Sequence, residues 1–94
     1  MPSLQILVID DEPAIRQMLS LMLMRAGYEV ESAASAEEAS ARLAKGEFDV
    51  ALCDIKLPGM DGIELLRRTR ASGSDVVFIM VTAFASMDTA IEAL

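Results

Sequence analysis

Segments of strand length alternate with helical patterns along the whole chain. Four short segments, either apolar or alternating between apolar and polar residues, occupy residues 4–9, 28–32, 49–53 and 76–81. Patterns typical of helices follow them in residues 13–26, 36–45, 63–70 and 87–94. Strands that alternate with helices usually form a parallel sheet with helices on both faces. The sequence therefore predicts one α/β domain over residues 1–94, with four strands and four helices.

The predicted helices begin and end at residues that favour helix termini. Pro13 follows three acids and precedes an apolar stripe, which is typical of a first helical residue, and Gly27 follows the end of that stripe. Ser35 and Glu38 form the S-x-x-E pattern of a capping box at the start of the second helix. Glu12 lies where a negative charge complements the dipole of the first helix.

Helical spacing also predicts which side chains face the core. In the third helix we expect Ile63 and Leu66 to face inward and the arginines at 67, 68 and 70 to face outward. Cys53 and most of the seven methionines are also expected in the core. The apolar stripe of the first helix consists of Ile15, Met18, Leu19, Met22 and Leu23.

Composition and charge narrow the possible functions. Hydrophobic residues make up 53% of the 94 residues and charged residues 24%, so the chain is expected to fold rather than stay disordered. A net charge of −7 argues against direct binding to nucleic acid or to an anionic membrane. The sequence has no apolar run of about 20 residues and no signal-peptide pattern at its start, which predicts a cytoplasmic protein.

The chain has no histidine and one cysteine. The lack of histidine excludes histidine general-base catalysis, a Ser-His-Asp triad, most zinc sites and a phosphohistidine carrier. A single cysteine excludes an internal disulfide. Carboxylates are therefore the groups expected to carry any chemistry.

Polar residues stand at the ends of three predicted strands. Asp10 and Asp11 follow the first strand, Asp54 the third and Thr82 the fourth. In an open parallel sheet, ligands bind outside the carboxyl ends of the strands. A cluster of carboxylate oxygens suits Mg²⁺, which would also offset the repulsion between the acids. The alternative is that the paired acids at residues 10 and 11 only complement a helix dipole.

Three blocks of the sequence, ILVIDDEP, LCDIKLPGMDGIELL and VTAFASMDTAIEAL, resemble the signature blocks of the receiver (CheY-like) domain of bacterial two-component response regulators. The resemblance covers most of the chain, in the family's order and spacing. It implies a three-layer, flavodoxin-like fold with a parallel sheet in the strand order 2-1-3-4-5.

The same resemblance implies a role for each matching residue. Asp54 resembles the phosphoacceptor, which takes a phosphoryl group from the phosphohistidine of a sensor histidine kinase. Asp11 resembles the direct Mg²⁺ ligand, and Asp10 the acid that acts mainly through a bound water. The main-chain carbonyl of Lys56 would complete the protein's share of the coordination. Thr82 resembles the switch hydroxyl that moves toward the phosphoryl group.

The third block is similar to receivers of the nitrogen-regulation (NtrC-like) type, which precede an ATPase domain that activates transcription. An output domain, or the transcription machinery, is therefore an implied partner. The implied protein is a signalling switch and not an enzyme that turns over substrate.

A complete receiver of this family has five βα units, and this sequence reaches Leu94 within the fourth helical pattern. The family's fifth strand carries an aromatic switch residue and a lysine that contacts the phosphoryl group. Without this strand and the helix after it, we expect residues 76–81 to present an apolar sheet edge, which favours pairing with another chain. The sequence therefore predicts a homo-oligomer or a segment-swapped dimer.

Two other functions remain as alternatives. One is an aspartate-nucleophile phosphatase of the haloacid-dehalogenase type, but such enzymes have a second aspartate where this chain has Lys56. The other is a non-signalling structural module that oligomerises through its exposed edge. Phosphorylation of Asp54 would distinguish a receiver from this second alternative.

Overall fold

A computed structural model of the protein describes residues 3–81. Four strands and three helices follow one another within this part of the chain: β1 (Gln5–Ile9), α1 (Pro13–Arg25), β2 (Glu29–Ala33), α2 (Ala36–Leu43), β3 (Val50–Asp54), α3 (Gly62–Ala71) and β4 (Val77–Val81). Each corresponds to a segment predicted from the sequence, with ends that differ by a few residues. The fourth predicted helix, residues 87–94, lies outside the described residues.

The four strands form one parallel sheet in the order β2-β1-β3-β4. This is the predicted order as far as the described strands reach, and the α/β, flavodoxin-like fold is confirmed. The register pairs Ile9 with Cys53, so β1 and β3 end side by side at the centre of the sheet. The residues that follow these two strands are therefore neighbours.

The main core lies between the sheet and helices α2 and α3. Alternate residues of the central strands, among them Leu7, Ile9 and Cys53, point to this face and are almost completely buried. Leu65 of α3 is also fully buried in this cluster. Burial raises the pKa of the Cys53 thiol to about 12, and the charges of neighbouring aspartates contribute. The thiol is therefore inert at neutral pH and serves as the small buried residue that the sequence predicted.

The buried stripe of α3 differs from the predicted one. Gly62, Leu65 and Thr69 are buried, whereas Ile63 and Leu66 are only half-buried. Thr69 can be buried because its hydroxyl donates a hydrogen bond to the carbonyl of Leu65 at 2.8 Å. The arginines at 67, 68 and 70 are exposed, as predicted.

Helix α1 has the predicted extent but leaves much of its apolar surface accessible. None of its residues is buried, and Met18 and Met22 are 52% and 60% exposed. The prediction that most methionines belong to the core is therefore wrong for these two and for Met24. Met60 and Met80 do pack against the core.

The two edge strands of the described sheet differ in character. Strand β2 alternates between exposed and less exposed residues, as predicted for a strand with one wet side. Within residues 3–81, β4 pairs with β3 alone, and its Val77 and Ile79 are 55% and 48% exposed. These two positions are typical of a surface that favours association, and self-association stays a prediction.

Ser35 and Glu38 cap the start of α2. The Ser35 hydroxyl accepts a hydrogen bond from the Glu38 amide at 3.1 Å, as the capping-box pattern predicts. The Glu38 carboxylate accepts from the amide of Ala34, one residue earlier than in the usual capping box. The cap fixes where the chain turns from β2 into α2.

Candidate functional site

The loop between β1 and α1 holds the first two acids of the site. Asp10 is only 3% exposed, and its amide donates a hydrogen bond to the carbonyl of Ala33 at 3.2 Å. Its Oδ1 atom accepts a hydrogen bond from the amide of Glu12 at 2.9 Å. Asp11, between them, is exposed. The loop therefore buries one carboxylate at the end of β1 and presents the next one to solvent.

Asp54 ends strand β3 and is half-buried beside this loop. The amide of Lys56 donates a hydrogen bond to Asp54 Oδ1 at 3.1 Å. This bond orients the carboxylate and leaves its second oxygen without that constraint. The Lys56 side chain is exposed.

Asp10, Asp11 and Asp54 come together at the carboxyl end of the sheet. One carboxylate oxygen from each lies within 4.8 Å of the others. Two unit charges about 4 Å apart repel by about 4 kcal/mol at an effective dielectric constant near 20. Three oxygen donors at this spacing fit a small divalent cation with oxygen ligands, such as Mg²⁺, better than they fit a softer metal.

The surroundings of Asp54 raise its pKa above the ordinary value for aspartate. Burial is the largest cause, and the negative charges of Asp10, Asp11 and Glu12 act in the same direction. The hydrogen bond from the Lys56 amide lowers the pKa and so opposes them. Burial and the neighbouring negative charges therefore disfavour the ionised form of Asp54, and a bound cation would offset the repulsion between the charges.

Replacing Asp54 with asparagine is expected to raise the free energy of unfolding at neutral pH. Because the pKa of Asp54 is raised on folding, the folded protein binds this proton more tightly than the unfolded chain does. Stability is therefore lost as the pH rises from the ordinary aspartate pKa through the raised one, and stays lower above it. Asn in place of Asp54 removes this loss, with a gain below about 1 kcal/mol because water screens a half-exposed cluster.

Urea denaturation at a series of pH values without divalent metal measures this difference. The advantage of Asp54→Asn should shrink as the pH falls through the raised pKa and disappear below the ordinary aspartate pKa, where Asp54 is protonated in both states. Asp75→Asn, which makes the same chemical change at an exposed aspartate two residues before β4, is the matched control. A lower stability of Asp54→Asn than of the unsubstituted protein at neutral pH would contradict the prediction.

Helix α3 packs directly on the backbone that carries Asp54. The amide of Gly62, its first residue, donates a hydrogen bond to the carbonyl of Ile55 at 2.9 Å. A Cβ atom on Gly62 would lie 2.5 Å from the carbonyl oxygen of Asp54. The side chain of Asp61 caps the helix by accepting from the Glu64 amide. The turn after Asp54 therefore depends on the absence of a side chain at residue 62.

One further residue touches the site without having been predicted. Arg16, on α1, donates a hydrogen bond from its Nη1 atom to the main-chain carbonyl of Asp10 at 2.7 Å. No sequence pattern indicates this contact, because a main-chain carbonyl is present at every residue and six positions is not a standard helical spacing.

Two of the predicted site features stay predictions. Thr82, the predicted switch hydroxyl, lies outside the described residues. The role of the Lys56 carbonyl also stays a prediction, since the contact that the structure gives for Lys56 here is made by its amide.

No helix within residues 3–81 has the length and apolar character needed to cross a membrane.

Comparisons with known proteins agree with this geometry. The family model described as the response regulator receiver domain matches residues 6–94. Response regulator protein PilR of Pseudomonas aeruginosa is 39% identical over 88 residues, which are 94% of this chain and 20% of PilR. The chain thus spans about a fifth of the length of the curated relatives it first matches.

Two solved structures with a similar fold are more than one third identical to this chain in sequence. The chemotaxis protein CheY4 of Vibrio cholerae is 36% identical with a TM-score of 0.86, over 98% of this chain and 78% of that chain. The response regulator TrrA of Thermotoga maritima, solved in complex with Mg²⁺-BeF, is 38% identical with a TM-score of 0.82, over 87% of this chain and 71% of that one. With its sheet order, its acidic cluster and the match to the family model, the chain belongs to the family of response regulator receiver domains.

Proposed function

We propose that Asp54 accepts a phosphoryl group from the phosphohistidine of a sensor histidine kinase. The observation that carries the proposal is the convergence of Asp10, Asp11 and Asp54, whose oxygens lie within 4.8 Å of one another at the carboxyl end of the sheet. Asp10, Asp11, Asp54 and the main-chain carbonyl of Lys56 would hold Mg²⁺. When bound, Mg²⁺ supplies positive charge that neutralises the phosphoryl oxygens.

Asp54 is the nucleophile in this proposal. One of its carboxylate oxygens forms a bond to phosphorus while the bond between phosphorus and the imidazole nitrogen breaks, and the electron pair of that bond stays on the imidazole. The hydrogen bond from the Lys56 amide holds Oδ1, which leaves the other oxygen free to attack.

The proposal also includes how phosphorylation of Asp54 is passed to an output domain. Thr82 would donate its hydroxyl to the phosphoryl group and so report phosphorylation to an output domain. The relatives include PilR and proteins described as transcriptional regulatory proteins, which supports regulation of transcription as the output. The chain acts here as a cytoplasmic phosphoacceptor and switch, and not as an enzyme with turnover.

Incubation with Mg²⁺ and a small phosphodonor such as phosphoramidate tests the proposal. We expect intact-protein mass spectrometry to show the addition of one phosphoryl group, which requires both Mg²⁺ and Asp54. Asp54→Asn should abolish the addition, because an amide cannot form the acyl phosphate. Asp75→Asn is the control, since it makes the same chemical change at an exposed aspartate that precedes β4 and does not belong to the acidic cluster.

Phosphorylation that survives in Asp54→Asn would overturn the proposal. A protein that takes up no phosphoryl group and sediments as a dimer would favour the structural alternative, in which exposed residues of β4 such as Val77 and Ile79 mediate association. Hydrolysis of the phosphodonor over many turnovers would favour the phosphatase.

A further inference from the structure

Arg16 links helix α1 to the loop that carries the acidic cluster. It lies in the first turns of α1, where its amide donates to the carbonyl of Glu12 at 3.0 Å. Its side chain turns back along the helix, and Nη1 reaches the carbonyl of Asp10 at 2.7 Å in a half-buried setting. Its own carbonyl accepts from the Ser20 hydroxyl at 2.8 Å. The Arg16 side chain therefore forms a hydrogen bond between the helix and the end of β1.

This bond is one of three hydrogen bonds that hold Asp10. The amide of Asp10 is held by Ala33, its Oδ1 by the Glu12 amide, and its carbonyl by Arg16. Two of these three partners belong to the main chain, so Arg16 is the contact that a single substitution can remove. Without it, the peptide group between Asp10 and Asp11 loses the donor that fixes its orientation, and the direction of both carboxylates depends on that peptide group.

Arg16 donates to a main-chain carbonyl and not to a carboxylate, and this difference affects cation binding at the acidic cluster. Within residues 3–81, the ion pairs involve Arg42 and Arg68, and Arg16 forms none. Its guanidinium binds a neutral carbonyl and leaves the oxygens of the acidic cluster for a metal ion. A guanidinium paired with those carboxylates would instead compete with the cation.

We infer that Arg16 is a positioning residue, which holds the segment of Asp10 and Asp11 in the geometry that binds Mg²⁺. The inference rests on the proposed function, in which Asp10 and Asp11 bind Mg²⁺. Groups that orient metal ligands typically change metal affinity by about tenfold or more when they are removed.

Arg16→Met tests the inference, because methionine keeps the apolar stem and lacks the donor. We expect the dissociation constant for Mg²⁺, measured by backbone amide chemical shifts in the 94-residue chain, to rise about tenfold. In metal-free protein, we expect faster hydrogen exchange at the Glu12 amide, which donates to Asp10 Oδ1. Arg25→Met is the matched control, since it removes the same charge from an exposed residue in the last turn of α1.

Arg16→Lys adds a conservative variant, whose ammonium group can still donate to a carbonyl. It should recover part of the Mg²⁺ affinity, and it keeps the test available where Arg16→Met does not fold. Mg²⁺ affinity and Glu12 exchange in Arg16→Met equal to those in Arg25→Met would overturn the inference. If the unsubstituted protein binds no Mg²⁺, the proposed function fails, whereas the metal-free exchange result still decides whether Arg16 holds the segment.

Discussion

Leu65→Ala is expected to lower the free energy of unfolding by about 3 kcal/mol, within the range of about 2–5 kcal/mol seen for buried leucines. Leu65 is completely buried between α3 and the sheet, in a cluster with Leu7 and Ile9. Truncation removes its apolar contacts and leaves a cavity that the rigid sheet cannot close. Urea denaturation followed by far-UV circular dichroism measures the loss.

Leu66→Ala is the matched control for this prediction. It makes the same chemical change at the next residue of the same helix, where the side chain is only half-buried. We expect it to cost less than half as much as Leu65→Ala. Equal losses for the two variants would show that the buried stripe of α3 is not the one described above.

A loss of this size is a large part of the stability of a small domain. Small domains are stable by only about 5–15 kcal/mol, and each 1.4 kcal/mol changes the folded-to-unfolded ratio about tenfold. Leu65→Ala therefore raises the unfolded fraction by about a hundredfold. We expect the candidate site to be affected as well, because Leu65 lies on the helix whose first residue packs on the backbone of Asp54.

The same helix shows where hydrophobic periodicity stops being informative. Ile63 and Leu66 are the apolar residues that spacing selects, but the face that packs on the sheet carries Gly62, Leu65 and Thr69. Glycine and threonine do not register as core residues in such a pattern. Gly62 is buried because the backbone of β3 comes close, and Thr69 because its hydroxyl bonds within the helix. Both reasons depend on contacts in the folded protein, which hydrophobic spacing does not indicate.

The positions of the strands were more predictable from the residue pattern than the burial of the helices, whereas the strand order was implied by the resemblance to receiver domains. Short branched segments separated by turn signals locate strands well, and the parallel sheet follows from their alternation with helices. Helical spacing gave the extent of α1 correctly, but Met18 and Met22 are exposed. Spacing identifies one side of a helix, whereas burial depends on what packs against that side.

The acidic cluster could be found from the sequence because its members share a topological position. Asp10, Asp11 and Asp54 each follow a strand that parallel packing brings to the same edge. The supporting contacts could not be found in this way. Arg16 bonds to a main-chain carbonyl, and Gly62 matters through an atom that it lacks, so neither contact leaves a pattern of residue types.

Gly62→Ala is expected to destabilise the protein by about 1–3 kcal/mol, the usual cost of adding volume to a packed site. The added Cβ would lie 2.5 Å from the carbonyl oxygen of Asp54 and 3.1 Å from the Cys53 sulfur. In an unhindered helix the same change gains about 1 kcal/mol, because alanine is the better helix former. The sign of the effect therefore decides between steric contact and helix propensity, and denaturation measures it.

The site should also respond, because relief of this contact moves either α3 or the main chain of Asp54. We expect phosphorylation of Gly62→Ala by a small phosphodonor to be slower than that of the unsubstituted protein under conditions where both are folded. Gly46→Ala is the control: Gly46 has a φ of 73°, so alanine strains the backbone there, but nothing lies within 4 Å of the added atom. It should lose stability and keep its rate of phosphorylation, because Gly46 lies between α2 and β3, away from the acidic cluster. A Gly62→Ala protein that is more stable than the unsubstituted one, or equally fast in phosphorylation, would contradict the prediction. It would show that the turn after Asp54 tolerates a side chain and that the close packing of α3 does not set the position of Asp54.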